Sequence, residues 1–381
     1  MTVYTYQQLK QKYHDFLIPM VDVMVSGKSF GENNEQMLIG AVEIEITCDF
    51  EASAASYRIY NCLDSNTGEY QIKALKPYIL LGSAVTIFLG YQGIMEEIFR
   101  GVIIQVQFIG EEEEIPCIEV NAMDIKGIMM ANCHARQMRA QDYSGAVREI
   151  FEKSVYQNLI SQDVLQKLEI GNTPDASKGQ ETDLSETIEM VSESDYEFVV
   201  KAAKRWNYEF FIRKGTLFFR RAKDTQETLL KLGPGQGLFG FWINYSLCGL
   251  VNTVEVRGMD VKKGEAIMAK KRFSHKISLG NKAKSMISQT ERVFIDSAIH
   301  TKKQAECRAE ALLEEMAYQY GELEGSCVGI PELLPGSFVE LEGLGTAADN
   351  RFYLKKVRHV LNTETGYRTY LMAQAPGLKE G

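Results

Sequence analysis

The chain has 381 residues, a length that suits two or three domains with buried cores. Its composition, 45% hydrophobic and 24% charged, is that of an ordinary globular protein, and a net charge of −9 argues against a dedicated nucleic-acid binder, which would carry a basic face. Seven cysteines, at 48, 62, 117, 133, 248, 307 and 327, are odd in number and form no C-x-x-C pair, so buried free thiols are expected rather than a disulfide scaffold or a zinc site.

Met1 to Pro19 mixes Lys10, Lys12, His14 and Asp15 among apolar residues and leaves no signal-peptide core. The first third then alternates with period two, which predicts strands over Met20–Val25, Gln36–Asp49, Ser56–Cys62, Ala84–Leu89, Glu97–Phe108 and Ile115–Ala122. Pro77 to Met95 is uncharged and long enough to raise the question of a membrane span. Gly82, Gly90 and Gly93 interrupt it, and Val85, Ile87 and Leu89 alternate, so two strands with turns are expected and no membrane anchor. The run Glu111 to Glu114 repels itself and reads as a turn.

The middle of the chain changes period. Val147, Ile150, Phe151, Val155 and Leu159 predict one helix over Tyr143–Leu159. Gly171–Asp183 reads as a loop and Leu184–Val191 as a short helix. Ser194-x-x-Glu197 is a capping box opening a helix whose apolar face is Phe198, Val199, Ala202 and Trp206. Tyr208–Ile212 and Thr216–Arg220 follow as a hairpin around Lys214-Gly215. Beyond them, Val251–Arg257 alternates, about Lys302 to Tyr320 predicts a long helix, and Ser337–Leu341, Arg351–Val360 and Tyr367–Ala373 predict closing strands.

Two distant segments resemble each other. Gly82-Ser83-Ala84-Val85-Thr86-Ile87 parallels Gly336-Ser337-Phe338-Val339-Glu340-Leu341, and sixteen residues after each glycine a second strand begins, at Ile98 and at Phe352. Third strands end near Met123 and Met372. A duplication would leave this pattern, as would the habit of all-β proteins of placing Gly-Ser before an alternating strand. The expected fold is α+β, mainly β: a first β-barrel domain over 1-130, an α/β domain over 131-235, and a second β-barrel domain over 236-381 with a helix near 302-320.

Chemistry-bearing motifs are scarce. Gly27-Lys28-Ser29 lacks the first P-loop glycine, since Asp22 stands there, and Gly233 to Gly237 fails the dinucleotide pattern at Leu238. His14, His134, His275, His300 and His359 form no H-E-x-x-H, and Cys133-His134 alone makes no tetrahedral site. No G-x-S-x-G is present. Tyr196, Phe198, Trp206, Tyr208, Phe210, Phe211, Phe218 and Phe219 are spaced as core rather than as a stacking platform, and Lys262, Lys263, Lys270, Lys271 and Arg272 read as a solvated face. No catalytic, cofactor-binding or metal-binding residue is assigned, and no enzymatic activity or cofactor is expected.

A family resemblance rests on four ordered segments. Leu81 to Tyr91 followed by Ile98 to Ile103 resembles the first-barrel signature of the late control gene D family, which includes baseplate hubs of contractile phage tails and the N-terminal half of VgrG spike proteins. Ser194 to Phe198 with Trp206 to Phe211 is similar to its helix-to-strand segment, Val251 to Asp260 to its next strand, and Phe352 to His359 with Gly366 to Leu371 to its closing barrel. The resemblance implies two barrels flanking an α/β region. It further implies a homotrimeric hub in the baseplate of a phage tail or tailocin-like contractile injection particle, made in the bacterial cytoplasm. Six barrels in three copies would adapt a sixfold tail tube or tube initiator to a threefold spike, with baseplate wedge proteins around them. VgrG-like chains continue into an OB-fold and needle, whereas this sequence stops at Gly381, so a separate central spike protein is expected. Other readings from the sequence are a tail-associated cell-wall-degrading enzyme and a receptor-binding tail protein.

Overall fold

The structure is a computed structural model that describes residues 3–378, except 34–35, 65, 111, 113–114, 178–186, 225–226, 261–262, 276–281, 298 and 346–347. The fold is α+β and mainly β. After a capped helix α1 (Tyr6–Lys12), the first β unit contains β1 (Pro19–Val25), β2 (Lys28–Ser29), β3 (Leu38–Thr47), β4 (Ala54–Tyr60), β5 (Ala84–Tyr91), β6 (Ile94–Ile109) and β7 (Cys117–Met123), with the short helices α2 (Phe30–Asn33) and α3 (Ile72–Ile79). Strands β3 and β5 alternate: Val42, Ile44 and Ile46 point inward from β3, and Val85, Ile87 and Leu89 from β5.

The α/β region holds α4 (Lys126–Met129), β8 (His134–Gln137), α5 (Tyr143–Phe151), α6 (Ser154–Ser161), β9 (Lys167–Ile170), β10 (Glu189–Glu193), α7 (Asp195–Trp206), β11 (Tyr208–Arg213) and β12 (Thr216–Arg221). Then follow β13 (Thr228–Leu232), β14 (Leu238–Tyr245), β15 (Thr253–Asp260), β16 (Glu265–Arg272), α8 (Lys282–Ile287), β17 (Glu291–Ile295), α9 (Lys302–Tyr318), β18 (Gly321–Val328), β19 (Phe338–Leu341), β20 (Arg351–Asn362) and β21 (Gly366–Ala375).

The two β units share one ladder of order β14-β18-β21-β20-β3-β4-β7-β6-β5-β1-β2, with β19 and β13 attached beside β20. They also share a single core, which runs from Leu9 through Ala122 and resumes at Leu229 to Ala375. Between β14 and β18 the chain inserts a separate three-stranded sheet, β16-β15-β17, and lays α9 over it. Val254, Val256, Ala305, Ala309 and Leu312 form that insertion's own core.

Three local expectations change. Over Tyr143–Leu159 there are two helices, because Lys153 is extended between them and its ammonium reaches the buried Asp195 carboxylate at 2.6 Å. In Leu184–Val191, residues 184–186 lie outside the described residues and the rest leads into a strand: Ile188 and Met190, two apart, are buried, and β10 pairs with β8. Pro77 to Ile79 closes a helix instead of joining a strand, since Leu75 and Tyr78 face the core one helical turn apart. Of Glu111 to Glu114 only Glu112 is described, and it lies in a turn; of Gly171–Asp183, residues 178–183 lie outside the described residues. The capping box at Ser194 is present as read, with Glu197 closing it.

Among the described residues no helix is long and apolar enough to cross a membrane.

Candidate assembly surfaces

Buried charge offers the first place to look for chemistry, because an uncompensated buried ion is costly and is often a catalytic group. Here such groups hold structure together. Asp195, fully buried, accepts from Lys153 at 2.6 Å and from the Tyr156 hydroxyl at 2.7 Å. The Lys126 ammonium, held low by burial, donates to the carbonyls of Asp49 and Glu51 at 2.9 and 2.6 Å. Glu209 accepts from the Tyr353 hydroxyl and lies 3.4 Å from the Arg220 guanidinium, tying β11 and β12 to β20. None of these side chains opens onto a cleft. Sequence reasoning passed over all of them, because an Asp, Lys or Glu inside a helix or strand reads as a surface residue.

The residues singled out from the sequence do not converge. Lys28 and Ser29 sit in the β1–β2 hairpin, where the Ser29 hydroxyl donates to Asp22. Gly233 to Gly237 is the turn between β13 and β14. Phe198, Trp206, Phe210, Phe211, Phe218 and Phe219 are core. Lys270 pairs with Glu255 and Glu291, and Lys271 with Glu310, so the basic run is matched by acids; Lys262 lies outside the described residues. An open hollow beside it, lined by Arg221, Arg272, His275, Glu310 and Glu314 among others, carries both signs of charge. His134 opens β8 beside the exposed Cys133, and among the described residues no three His, Cys, Asp or Glu side chains cluster as a metal set.

Organised chemistry lies instead in the joint between the two units and in the duplication that builds them. In the first unit β3-β4-β7-β6-β5 are neighbours in that order; in the second, β14-β18-β21-β20-β19 are. Both Gly82 and Gly336 have φ of +82°, a conformation that favours glycine. The Gly82 N–H donates to Ile103 and the Ile103 N–H to Ser83, at 2.9 and 3.0 Å; the Gly336 N–H donates to Leu354 and the Leu354 N–H to Ser337, at 3.0 and 2.8 Å. Ile103 and Leu354 are therefore equivalent. The sixteen-residue spacing read from the sequence would instead match Ile103 to Val357, because the first unit's hairpin is longer. Immediately afterwards each strand has a bulge, at Ile104 and at Lys355, and each resumes pairing at the next residue, Gln105 with Asn121 and Lys356 with Met372. A bulge repeated at the same place is a preserved structural feature of two copies of one unit. The copies differ at one edge, where β1 pairs antiparallel to β5 but β13 pairs parallel to β19.

The joint itself is β3 against β20. Lys356 opposes Thr47, Arg358 opposes Glu45, His359 opposes Ile44 and Leu361 opposes Val42. Val42, Ile44, Ile46, Val357 and His359 are buried on its inner side. On the outer side Lys356 meets Glu45 and Glu51 at 3.0 and 2.9 Å, and Arg358 meets Glu43 at 3.1 Å. A sheet that runs through a duplicated pair of units ends in edge strands whose unpaired backbone groups can pair with another chain.

The fold is shared with solved phage-type tail proteins. The 43 kDa tail protein of prophage MuSo2 from Shewanella oneidensis superposes with a TM-score of 0.66 at 14% identity, over 94% of this chain and 98% of that one. The tail protein of Neisseria meningitidis MC58 gives 0.66 at 12% identity, over 95% and 98%. The E. coli c3393 protein, described as a component of the type VI secretion system with structural similarity to the T4 bacteriophage tail proteins gp27 and gp5, gives 0.55 at 11%, over 94% and 79%. No curated protein sequence matches. Residues 18–363 match the family model described as the Alg8 N-terminal domain, and the chain belongs to that family.

Proposed function

We propose that this protein is a non-catalytic baseplate hub of a contractile tail or phage-tail-like injection particle, a homotrimer joining a sixfold tail tube to a threefold central spike. The observation that carries the reading is the duplication, in which the glycine turn, the two hydrogen bonds and the bulge recur at matching residues of both units. Two like units per chain give three copies six like positions, which is what a sixfold-to-threefold adaptor needs. The tail proteins of similar fold support the setting, as does a Francisella VgrG complex whose TM-score is 0.53 at 9% identity. In this reading the domains run 1-130, 131-235 and 236-381, with β13 drawn into the second unit by its pairing. The partners are the tube or tube initiator, the central spike and the surrounding wedge proteins. Cryo-electron microscopy of assembled particles tests it: three copies at the tube–spike junction are expected. Six copies in the ring, or a position on the tail fibres, would overturn it.

A further inference from the structure

The duplication leaves one joint made and its equivalent unmade. Within the chain, β3 of the first unit pairs with the far half of β20 in the second. By the register set out above, β14 is the counterpart of β3, because Ile243 opposes Leu323 as Ile44 opposes Ala55, and both of those oppose matching residues of β21 and β7. The far half of β6 is likewise the counterpart of the far half of β20. Yet β14 ends the ladder, and β6 beyond Ile103 has no strand partner on its β5 side among the described residues.

The side chains mark these two edges as unfinished. Val106 and Phe108 oppose the buried Val120 and Ile118 on the core-facing side of β6. Phe108 nevertheless remains 52% exposed, whereas its counterpart His359 is fully buried. Along β14, Phe241 is 46% exposed, whereas its counterpart Val42 is fully buried; Ile243 and Tyr245 are half-buried at the places of Ile44 and Ile46. Exposed apolar residues on a free, flat strand edge are what soluble proteins avoid unless that edge is used.

We infer that β14 of one copy pairs antiparallel with residues 105–109 of β6 in a second copy of this chain, in the register of the β3–β20 joint. That register sets Gln105 opposite Ser246, Val106 opposite Tyr245, Gln107 opposite Asn244, Phe108 opposite Ile243 and Ile109 opposite Trp242. The contact is heterologous, one edge meeting a different one, so successive copies build a ring or an open ladder rather than a two-fold dimer. Its closure at three copies rests on the hub reading. The joint inside the chain carries outward charge pairs at Lys356 and Arg358; the corresponding residues Gln105, Gln107 and Asn244 are uncharged amides, so this joint depends on apolar contact and backbone hydrogen bonds rather than on ion pairs.

The test is cross-linking of the full chain carrying Gln107→Cys and Asn244→Cys, with the exposed Cys133 and Cys248 changed to serine, together with native mass spectrometry of the unmodified protein. A short bismaleimide is expected to convert the double variant into a covalent species of three chains, and neither single cysteine variant is expected to do so. Phe108→Lys is expected to shift the native protein from three copies to one without lowering its α-helix and β-sheet content. Three copies by mass with no cross-link between 107 and 244 would overturn the strand pairing and leave the hub reading intact. A monomer, a two-chain species or an open ladder of chains would overturn both.

Discussion

Phe108 and His359 hold equivalent places in the two units and meet opposite surroundings. His359 is fully enclosed where β20 pairs with β3, and Phe108 lies on the open margin of β6. The His359 Nε2–H donates to the Leu333 carbonyl at 3.0 Å, and Nδ1 accepts from the Tyr367 hydroxyl at 2.8 Å, which fixes the neutral ring with its proton on Nε2. Burial, the largest cause, pushes its pKa down to about 3.

That burial makes stability depend on pH. The folded-state pKa lies below the ordinary value of 6.5, so the unfolded chain takes up a proton that the folded chain refuses. The contribution of His359 is therefore full above about pH 6.5 and is lost as pH falls toward 3, at up to about 1.4 kcal/mol per pH unit. His359→Phe, which installs the residue found at the equivalent place, removes this dependence at the cost of two buried hydrogen bonds. Urea unfolding of both proteins at pH 7, 6 and 5 should show the variant less stable at pH 7 and the gap narrowing by roughly 1 kcal/mol per unit below pH 6. A gap constant with pH would mean that His359 takes up its proton as readily in the folded protein as in the unfolded chain.

Gly82 and Gly336 share one backbone conformation but not one environment. A methyl group at residue 82 would meet nothing within 4 Å, whereas at residue 336 it would come within 2.9 Å of Phe211 Cζ and 3.1 Å of Arg220 Nη2. Gly82→Ala should cost only the left-handed strain, roughly 1–2 kcal/mol. Gly336→Ala should add about 1–3 kcal/mol of overpacking. Thermal melts of the two variants should therefore separate, with the Gly336 variant the lower.

Much of this was legible locally. Strands β1, β3 to β7 and β19 to β21 follow from period-two alternation, α7 from its capping box, and the Gly82 and Gly336 turns from matching segments, whereas β13, β14 and β18 of the second unit were not legible as strands. What one strand cannot reveal is its neighbour. Val357 and Val106 alternate alike in sequence, yet the first lies in the middle of a sheet and the second at its margin, because partners are chosen by contacts hundreds of residues apart. The insertion of β15 to α9 stayed hidden for the same reason: Val251–Arg257 reads as a strand of the second barrel until β16 and β17 take it into their own sheet. The candidate surface is a property of pairing, so it needed the fold.

Glu209 shows how the α/β region is fastened to the second unit. Its carboxylate, 6% exposed, accepts from the Tyr353 hydroxyl and from the Lys223 backbone N–H at 3.2 Å, and faces Arg220 Nε at 3.4 Å. Burial first, then the nearby Cys48 and Glu209, raises the Tyr353 pKa well above 10, so its hydroxyl remains a donor. Glu209→Gln leaves an acceptor for that hydroxyl but withdraws the charge that balances a largely buried guanidinium, which should cost about 3 kcal/mol. Tyr353→Phe keeps the charge pair and removes one donor, for roughly 1–2 kcal/mol. Because both changes act on one carboxylate, the double variant should lose less than the two single losses added together, with a coupling of about 0.5–1.5 kcal/mol. Denaturant midpoints of the four proteins, at unchanged slope, measure that coupling. Strict additivity would show that Glu209 and Tyr353 act independently and that α/β attachment rests on apolar packing around Phe211, Phe218 and Phe338 instead.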